Sequence, residues 1–270
     1  MQIAFWSNLH GQGATTATTV ATACIAAQTT AQKTLIAHNH IEKNALEGYL
    51  LRKQEKAAIK MLDFSNQGLD ALIRLYRNGR LKSAMIPDYT FSLMKNHALD
   101  ILFGSEKKDG LAEDTQHILL NIFDRAREAY DVIMLDLHSG LDGTNSRVLL
   151  ETSDIVVFCL CQNHILLENF HKVLEENPVL KRKRSAYILS RYDETSALTR
   201  RNIARRYHID SDALFAIPYQ TGFMDACNSG RVFDYISFGL SSKRSDRFIQ
   251  ELSRLTQFVM EGCHVQACPS

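Results

Sequence analysis

Residues 2–28, QIAFWSNLHGQGATTATTVATACIAAQ, constrain the fold more than any other stretch of the chain. Gln2 to Ser7 is short, apolar and aromatic, which suits a strand covered on both faces. Gly11 and Gly13 then let the backbone turn tightly. Ala14 to Ala27 is mostly Ala and Thr, so a helix there can lie close against a sheet. Strand, glycine turn and helix, in that order, form the setting in which a phosphate rests on backbone N–H groups at a helix N-terminus.

The spacing follows the phosphate-loop pattern G-x-x-x-x-G-K-[ST], whose lysine reaches the β/γ-phosphates and whose hydroxyl holds Mg²⁺. Ala14 stands where that lysine belongs and Thr15 where the Mg²⁺ ligand belongs. The skeleton of the loop is present and its cation is missing, so a plain glycine turn remains the alternative. Tyr130 to Gly143, YDVIMLDLHSGLDG, supplies a second anchor: an apolar run delivers the Asp136 carboxylate to a strand's C-terminal end, within reach of a Mg²⁺ shell. The alternative there is an Asp at an ordinary strand end.

Further strands are expected at Lys33 to Asn39, Leu99 to Gly104, Asp154 to Cys161, Ser185 to Ser190 and Leu214 to Pro218. Helices are expected at Glu55 to Leu62, Gly68 to Arg77, Leu111 to Tyr130, from Leu166, and at Thr199 to Tyr207, Phe223 to Gly230 and Asp246 to Met260. Glu106 to Asp109 reads as a charged linker. Alternation of this kind predicts an α/β fold, a doubly wound, mostly parallel sheet flanked by helices, with ligands at the strand C-terminal ends. Gly11, Thr15 and Asp136 would meet there. One domain over residues 1–260 and a flexible tail over 261–270 are expected.

At 270 residues with 45% apolar content, the chain can bury a large core. No apolar run approaches the ~20 residues of a membrane helix. There is no basic leader, which points to the cytoplasm. The net charge of +1 means that any polyanion site must be local. Six Cys include no CxxC pair and read as free thiols; Cys263, His264 and Cys268 fall short of a closed zinc site. Basic residues cluster at Lys181 to Arg184, at Arg200, Arg201, Arg205 and Arg206, and at Lys243, Arg244 and Arg247. That is either a polyanion patch or a solvated face. His38 and His40 either cap a strand end or mark a rewired phosphate neighbourhood.

The loop resembles the deviant Walker A box of the MinD/ParA family, K-G-G-x-G-K-T-T, with Leu9 at the signature lysine, His10, Gly11 and Gly13 at the three Gly, Ala14 at the second lysine, and Thr15 and Thr16 at the two Thr. Tyr130, Asp131, Ile133, Asp136 and Gly140 are similar to that family's Y-D-x-I-x-x-D-x-x-x-G. Ser190-Arg191-Tyr192 resembles its N-R-Y, and Ile217, Pro218, Phe223, Ala226 and Gly230 its I-P segment. The combination looks most like the TadZ/CpaE branch, which positions pilus and secretion machinery. The resemblance implies nucleotide contacts at Gly11, Gln12, Gly13, Ala14, Thr15, Thr16, Arg191 and Pro218, and Mg²⁺ at Thr15 and Asp136. ATP and Mg²⁺ would bind weakly or not at all, with Asp136 the one catalytic candidate if the chain is active. It also implies a homodimer, a secretion or pilus motor ATPase or membrane-platform protein as partner, and a place at a membrane-associated secretion complex. The alternative is an active ParA-type partition ATPase working on DNA or membrane. ParA-type relatives bind DNA through basic surface residues, and MinD-like proteins end in a membrane-targeting helix; here the stripe Phe248, Leu252, Leu255 and Val259 is narrow and suits packing on the domain.

Overall fold

The structure is a computed structural model that describes residues 1–40, 45–55, 67–105, 116–141, 144–242 and 246–265. Its strands are β1 (Gln2–Trp6), β2 (Thr34–His38), β3 (Phe91–Ser92), β4 (Leu99–Ile101), β5 (Val132–Asp136), β6 (Ile155–Cys161), β7 (Arg184–Tyr192) and β8 (Leu214–Pro218). They form one sheet in the order β3-β4-β2-β5-β1-β6-β7-β8. Every pair is parallel except β3 with β4. The doubly wound, mostly parallel sheet is therefore as expected, and β1 lies at its centre between β5 and β6.

The helices are α1 (Thr15–Thr29), α2 (Leu46–Leu50), α3 (Gly68–Arg77), α4 (Gln116–Ala129), α5 (Thr144–Thr152), α6 (His164–Glu176), α7 (Pro178–Lys181), α8 (Arg200–Arg206), α9 (Thr221–Ser229), α10 (Val232–Ser241) and α11 (Arg247–Val265). They cover both faces, which is why the central strands are apolar throughout rather than alternating. Ile3 and Phe5 join the core under α1 and α11, and Ala4 and Trp6 join the core under α4 and α6. Helix α1 is buried from Ala17 to Ala27. Small residues let it approach the sheet, and its threonines return their hydroxyls to the backbone, Thr18 to the Ala14 carbonyl at 3.0 Å and Thr19 to that of Thr15 at 2.9 Å. Truncating the fully packed Val20 or Ile25 in such a helix costs about 1–5 kcal/mol.

Several bounds differ from the sequence reading. β7 continues past Ser190 to Tyr192 through an irregularity at which Arg191 has φ +52°. β4 is shorter, ending at Ile101, and the chain beyond it passes His38 at Gly104, where an added Cβ would lie 2.2 Å from the imidazole. The last helix runs past Met260 to Val265, into the segment expected to be a tail, and Glu261 accepts a hydrogen bond from Gln257 at 2.9 Å. Its stripe Phe248, Leu252, Leu255 and Val259 is buried in the core with α1. Helices α2, α5 and α10 and the two-residue β3 were not anticipated. The expected helix over Glu55 to Leu62 and linker over Glu106 to Asp109 lie almost wholly outside the described residues, as do Lys243, Arg244 and the side chains of Cys263, His264 and Cys268.

Candidate functional site

The loop between β1 and α1 sits at the C-terminal edge of the sheet, between the ends of β5 and β6. Its shape is set by three residues. Gly11 has φ +73° and Ala14 φ +52°, so the chain enters α1 from the left-handed region, at a small but real cost for Ala14. Gly13 is wedged: an added Cβ would stand 2.4 Å from the Cys159 carbonyl oxygen and 2.8 Å from Ser7 Oγ. Across the loop, Ser190 at the end of β7 donates its hydroxyl to the Gly13 carbonyl. The Ser190 side chain is thus engaged in holding the loop.

Helix α1 has no side-chain cap at Ala14. Its first amides lack a side-chain partner at the cap, and an uncapped helix N-terminus after a glycine turn is a setting that can offer N–H groups to phosphate oxygens. Two hollows flank the loop. One, of about 410 Å³, is lined by Ala14, Thr18, Arg191, Pro218, Phe223 and Met224, among others. The other, of about 210 Å³, lies against Leu9, Gln12, Gly13 and Cys161. Ala14, Arg191 and Pro218 therefore share one cavity, with Gly13 at the boundary of the second.

Asp136 is fully buried at the end of β5, opposite Phe5 on one side and His38 on the other. Thr16 donates its hydroxyl to Asp136 Oδ2 at 2.6 Å. Burial pushes the nearby Cys159 thiol well up, the Asp136 charge adds to the rise, and the Thr15 side chain, expected as the Mg²⁺ ligand, partly opposes it. The imidazole of His40 lies 3.3 Å from Asp136 Oδ2, within ion-pair reach but outside hydrogen-bond geometry. Asp136 Oδ1 is buried without a partner.

His38 and His40 part company. His38 Nε2 meets Glu47 Oε1 at 2.8 Å and His38 Nδ1 accepts the His40 backbone N–H at 3.2 Å, so Nε2 carries the proton. Burial raises the Glu47 carboxyl, but the His38 hydrogen bond, with backbone N–H donors that include Gly104, outweighs it and holds the group below its ordinary value. His40 packs its ring 5.5 Å from that of His138, which stacks 5.8 Å from that of His10 on the loop. Asn39, between them in sequence, donates to Ser146 Oγ at 2.8 Å and accepts the His138 backbone N–H at 2.7 Å, while Ser146 Oγ donates to the His138 carbonyl at 3.1 Å. Trp6 Nε1 donates to the Gly140 carbonyl at 3.1 Å. Four of the chain's 10 histidines thus gather where strands β1, β2 and β5 end. The signal for this was their placement at or just beyond those strand ends.

These residues suit a phosphorylated ligand in shape and not in charge. The backbone cradle fits phosphate oxygens. Asp136 would face a hydrated Mg²⁺ through its unpartnered Oδ1, since Thr16 and His40 converge on Oδ2. Among the described residues no three His, Cys, Asp or Glu are gathered to ligate a metal, and no helix is long and apolar enough to cross a membrane. The basic cluster is divided by its partners. Arg200 donates to the Ser211 carbonyl, Arg206 pairs with Glu168, and Arg184 donates to the Phe258 carbonyl. Arg201 and Arg205 stay exposed, one helical turn apart.

A central strand feeding a glycine loop and buried helix, with a carboxylate at the end of the adjacent strand, defines a P-loop-type α/β fold. Among solved structures it is the fold of the MinD and ParA ATPases. A ParA family ATPase from Chlorobium tepidum TLS superposes with a TM-score of 0.74 at 15% identity, over 95% of this chain and 98% of the other. The septum site-determining protein MinD from Pyrococcus horikoshii OT3, complexed with Mg-ADP, gives 0.70 at 18% identity over 99% of each chain. A putative plasmid partition protein from Borrelia burgdorferi B31 bound to AMPPNP gives 0.69 at 13% identity, over 96% and 98%. No family model matches the chain, and no curated protein matches it by sequence.

Proposed function

We propose that this protein is a scaffold of the TadZ/CpaE kind, which uses a MinD/ParA fold to position a pilus or secretion machine and turns over ATP slowly or not at all. One observation carries the reading: the cradle after β1 keeps its backbone shape with Leu9 and Ala14 in place of both lysines. Phosphoryl transfer depends on positive charge held against the transferring group. Each charge-assisted hydrogen bond lost is worth roughly 1.5–3 kcal/mol, so two cost about 3–6 kcal/mol, or roughly 10²–10⁴ in affinity. The helix dipole and backbone amides remain and support weak nucleotide binding. On this reading the chain works as a homodimer on a motor ATPase or a membrane-platform protein, from the cytoplasmic side of a secretion complex. Steady-state ATP turnover in Mg²⁺ is the test. Wild type and Asp136→Ala are expected to match background, and turnover that Asp136→Ala abolishes would overturn the reading.

A second reading, a partition-type ATPase on DNA, draws support from the outward Arg201 and Arg205. It predicts salt-sensitive retention on non-specific DNA that Arg201→Glu with Arg205→Glu removes. Retention unchanged by that pair of substitutions counts against it.

A further inference from the structure

We propose that the cavity which α1 shares with the ends of β7 and β8 binds an amphipathic anion, an acyl chain or fused aromatic ring that ends in one carboxylate or sulfonate, with Arg191 holding the anionic group. The proposal goes beyond the scaffold reading and does not rest on it. The cavity, of about 410 Å³, lies at the low end of the roughly 300–1,000 Å³ that ligand sites span. Its wall is apolar. Ala17 and Ala21 present only methyl groups, Phe223 and Phe248 pack ring against ring at 4.7 Å, and Met224 adds a side chain that adjusts to the shape of what it meets. Among the described residues of the wall, Arg191 is the one that carries a charge. It is exposed, and its guanidinium makes no hydrogen bond or ion pair with another described residue.

The backbone sets the place of Arg191. Ile188 joins the core under α1 and Leu189 the core on the opposite face, as strand alternation requires. Ser190 returns to the α1 side, where it donates to the Gly13 carbonyl. Tyr192 should then lie on that side too, yet it joins the core that holds Leu189. The pairing of β7 with β8 shifts register between Ser190 and Tyr192, so Arg191 is the inserted residue, held at φ +52°. An insertion of this kind re-aims a side chain, and here it leaves Arg191 beside Ser190 on the cavity wall. A side chain as large as arginine kept in the left-handed region marks a position held for function.

The same wall explains why the body of the ligand is apolar. Thr18 directs its hydroxyl to the Ala14 carbonyl, Ser190 to that of Gly13, and the Gln220 amide donates to Asp246. A nucleotide base would bring ring donors and acceptors to side chains whose donors are already in use, whereas an acyl chain or fused ring asks for none.

The test uses the full chain and anilinonaphthalene sulfonate, a fused-ring sulfonate whose fluorescence reports its binding. Decanoate and decyltrimethylammonium, which share a chain and differ in the sign of the head, serve as competitors below their micelle concentrations. Wild type should show one saturable site that decanoate empties about tenfold or more tightly than the cation. Arg191→Gln should bring the two competitors within about threefold, and Arg191→Glu should invert their order. Met224→Trp fills the cavity and leaves Arg191 in place, so it should weaken the dye and decanoate together by about tenfold. A Tm within about 2 °C of wild type identifies the variants that count, and Met224→Trp and the Arg191 series test the site independently. Dye binding that does not saturate, a preference for decanoate that survives Arg191→Gln, or a dye displaced by ADP and not by decanoate would each overturn the proposal.

Discussion

Replacing Gly13 by Ala tests whether the phosphate cradle is a packed object rather than a flexible turn. A methyl group there would start 2.4 Å from the Cys159 carbonyl oxygen, 2.8 Å from Ser7 Oγ and 2.9 Å from Ser7 Cβ. Ordinary contact begins near 3.4 Å, so the loop must move about 1 Å away from β6. The nearest atom is backbone in a central strand and cannot rotate aside. Overpacking of this kind costs about 1–3 kcal/mol, and loss of the Ser190 bond to the Gly13 carbonyl adds about 0.5–1.5 kcal/mol. For a chain of this size roughly 2–4 kcal/mol corresponds to a fall of about 4–16 °C in Tm. Gly11→Ala is the control. Gly11 has φ +73° and nothing near its Cβ position, so only the left-handed backbone penalty of about 1–2 kcal/mol applies. The assay is thermal unfolding of both variants beside wild type. A Gly13→Ala protein within about 2 °C of wild type, or one more stable than Gly11→Ala, would refute the packing argument.

Two further outcomes follow from buried pairs. Glu47 is held below the ordinary glutamate value by His38, so its stabilisation is present above that value, about 4.3, and is lost as pH falls through the lower folded-state value. Glu47→Gln should therefore lower stability at neutral pH and flatten the acid limb, measured by urea unfolding from pH 7 to pH 3. Tyr130 donates its hydroxyl to the buried Asp100 at 2.5 Å, and burial with that bond pushes the phenol well above its usual range. Tyr130→Phe should cost about 1–3 kcal/mol below pH 10 and remove part of the stability loss above it, read from unfolding curves in alkaline buffers.

The parts of the fold buried on both faces were the legible ones. β1, β5, β6 and β8 are continuous apolar runs, because a parallel sheet sandwiched by helices asks for nothing polar until the strand ends. Gly68–Arg77 was legible from its apolar stripe. β3 was not, since two residues carry no period, and neither was α10, where VFDYISFGLS is apolar nearly all round and only Val232 and Ile236 are buried. The position of Asp136 could be read, but its partners could not. Thr16 reaches the carboxylate from the first turn of α1, a contact across 120 residues that motif spacing does not register. The approach of His40, His138 and His10 is made by three separate loops, and local pattern does not register such contacts.

The stitching by Asn39 has a consequence for how such a protein can speak to others. The segment after β5 is fastened at His138 to the end of β2 and to α5 by one hydrogen bond each, a third joins those two through Asn39 and Ser146, and Trp6 fixes the segment a little further on. A conformational signal along that segment would have to break all of them together. A partner that pulled on the end of β2, the end of β5 or α5 would therefore load the other two through Asn39 and Ser146.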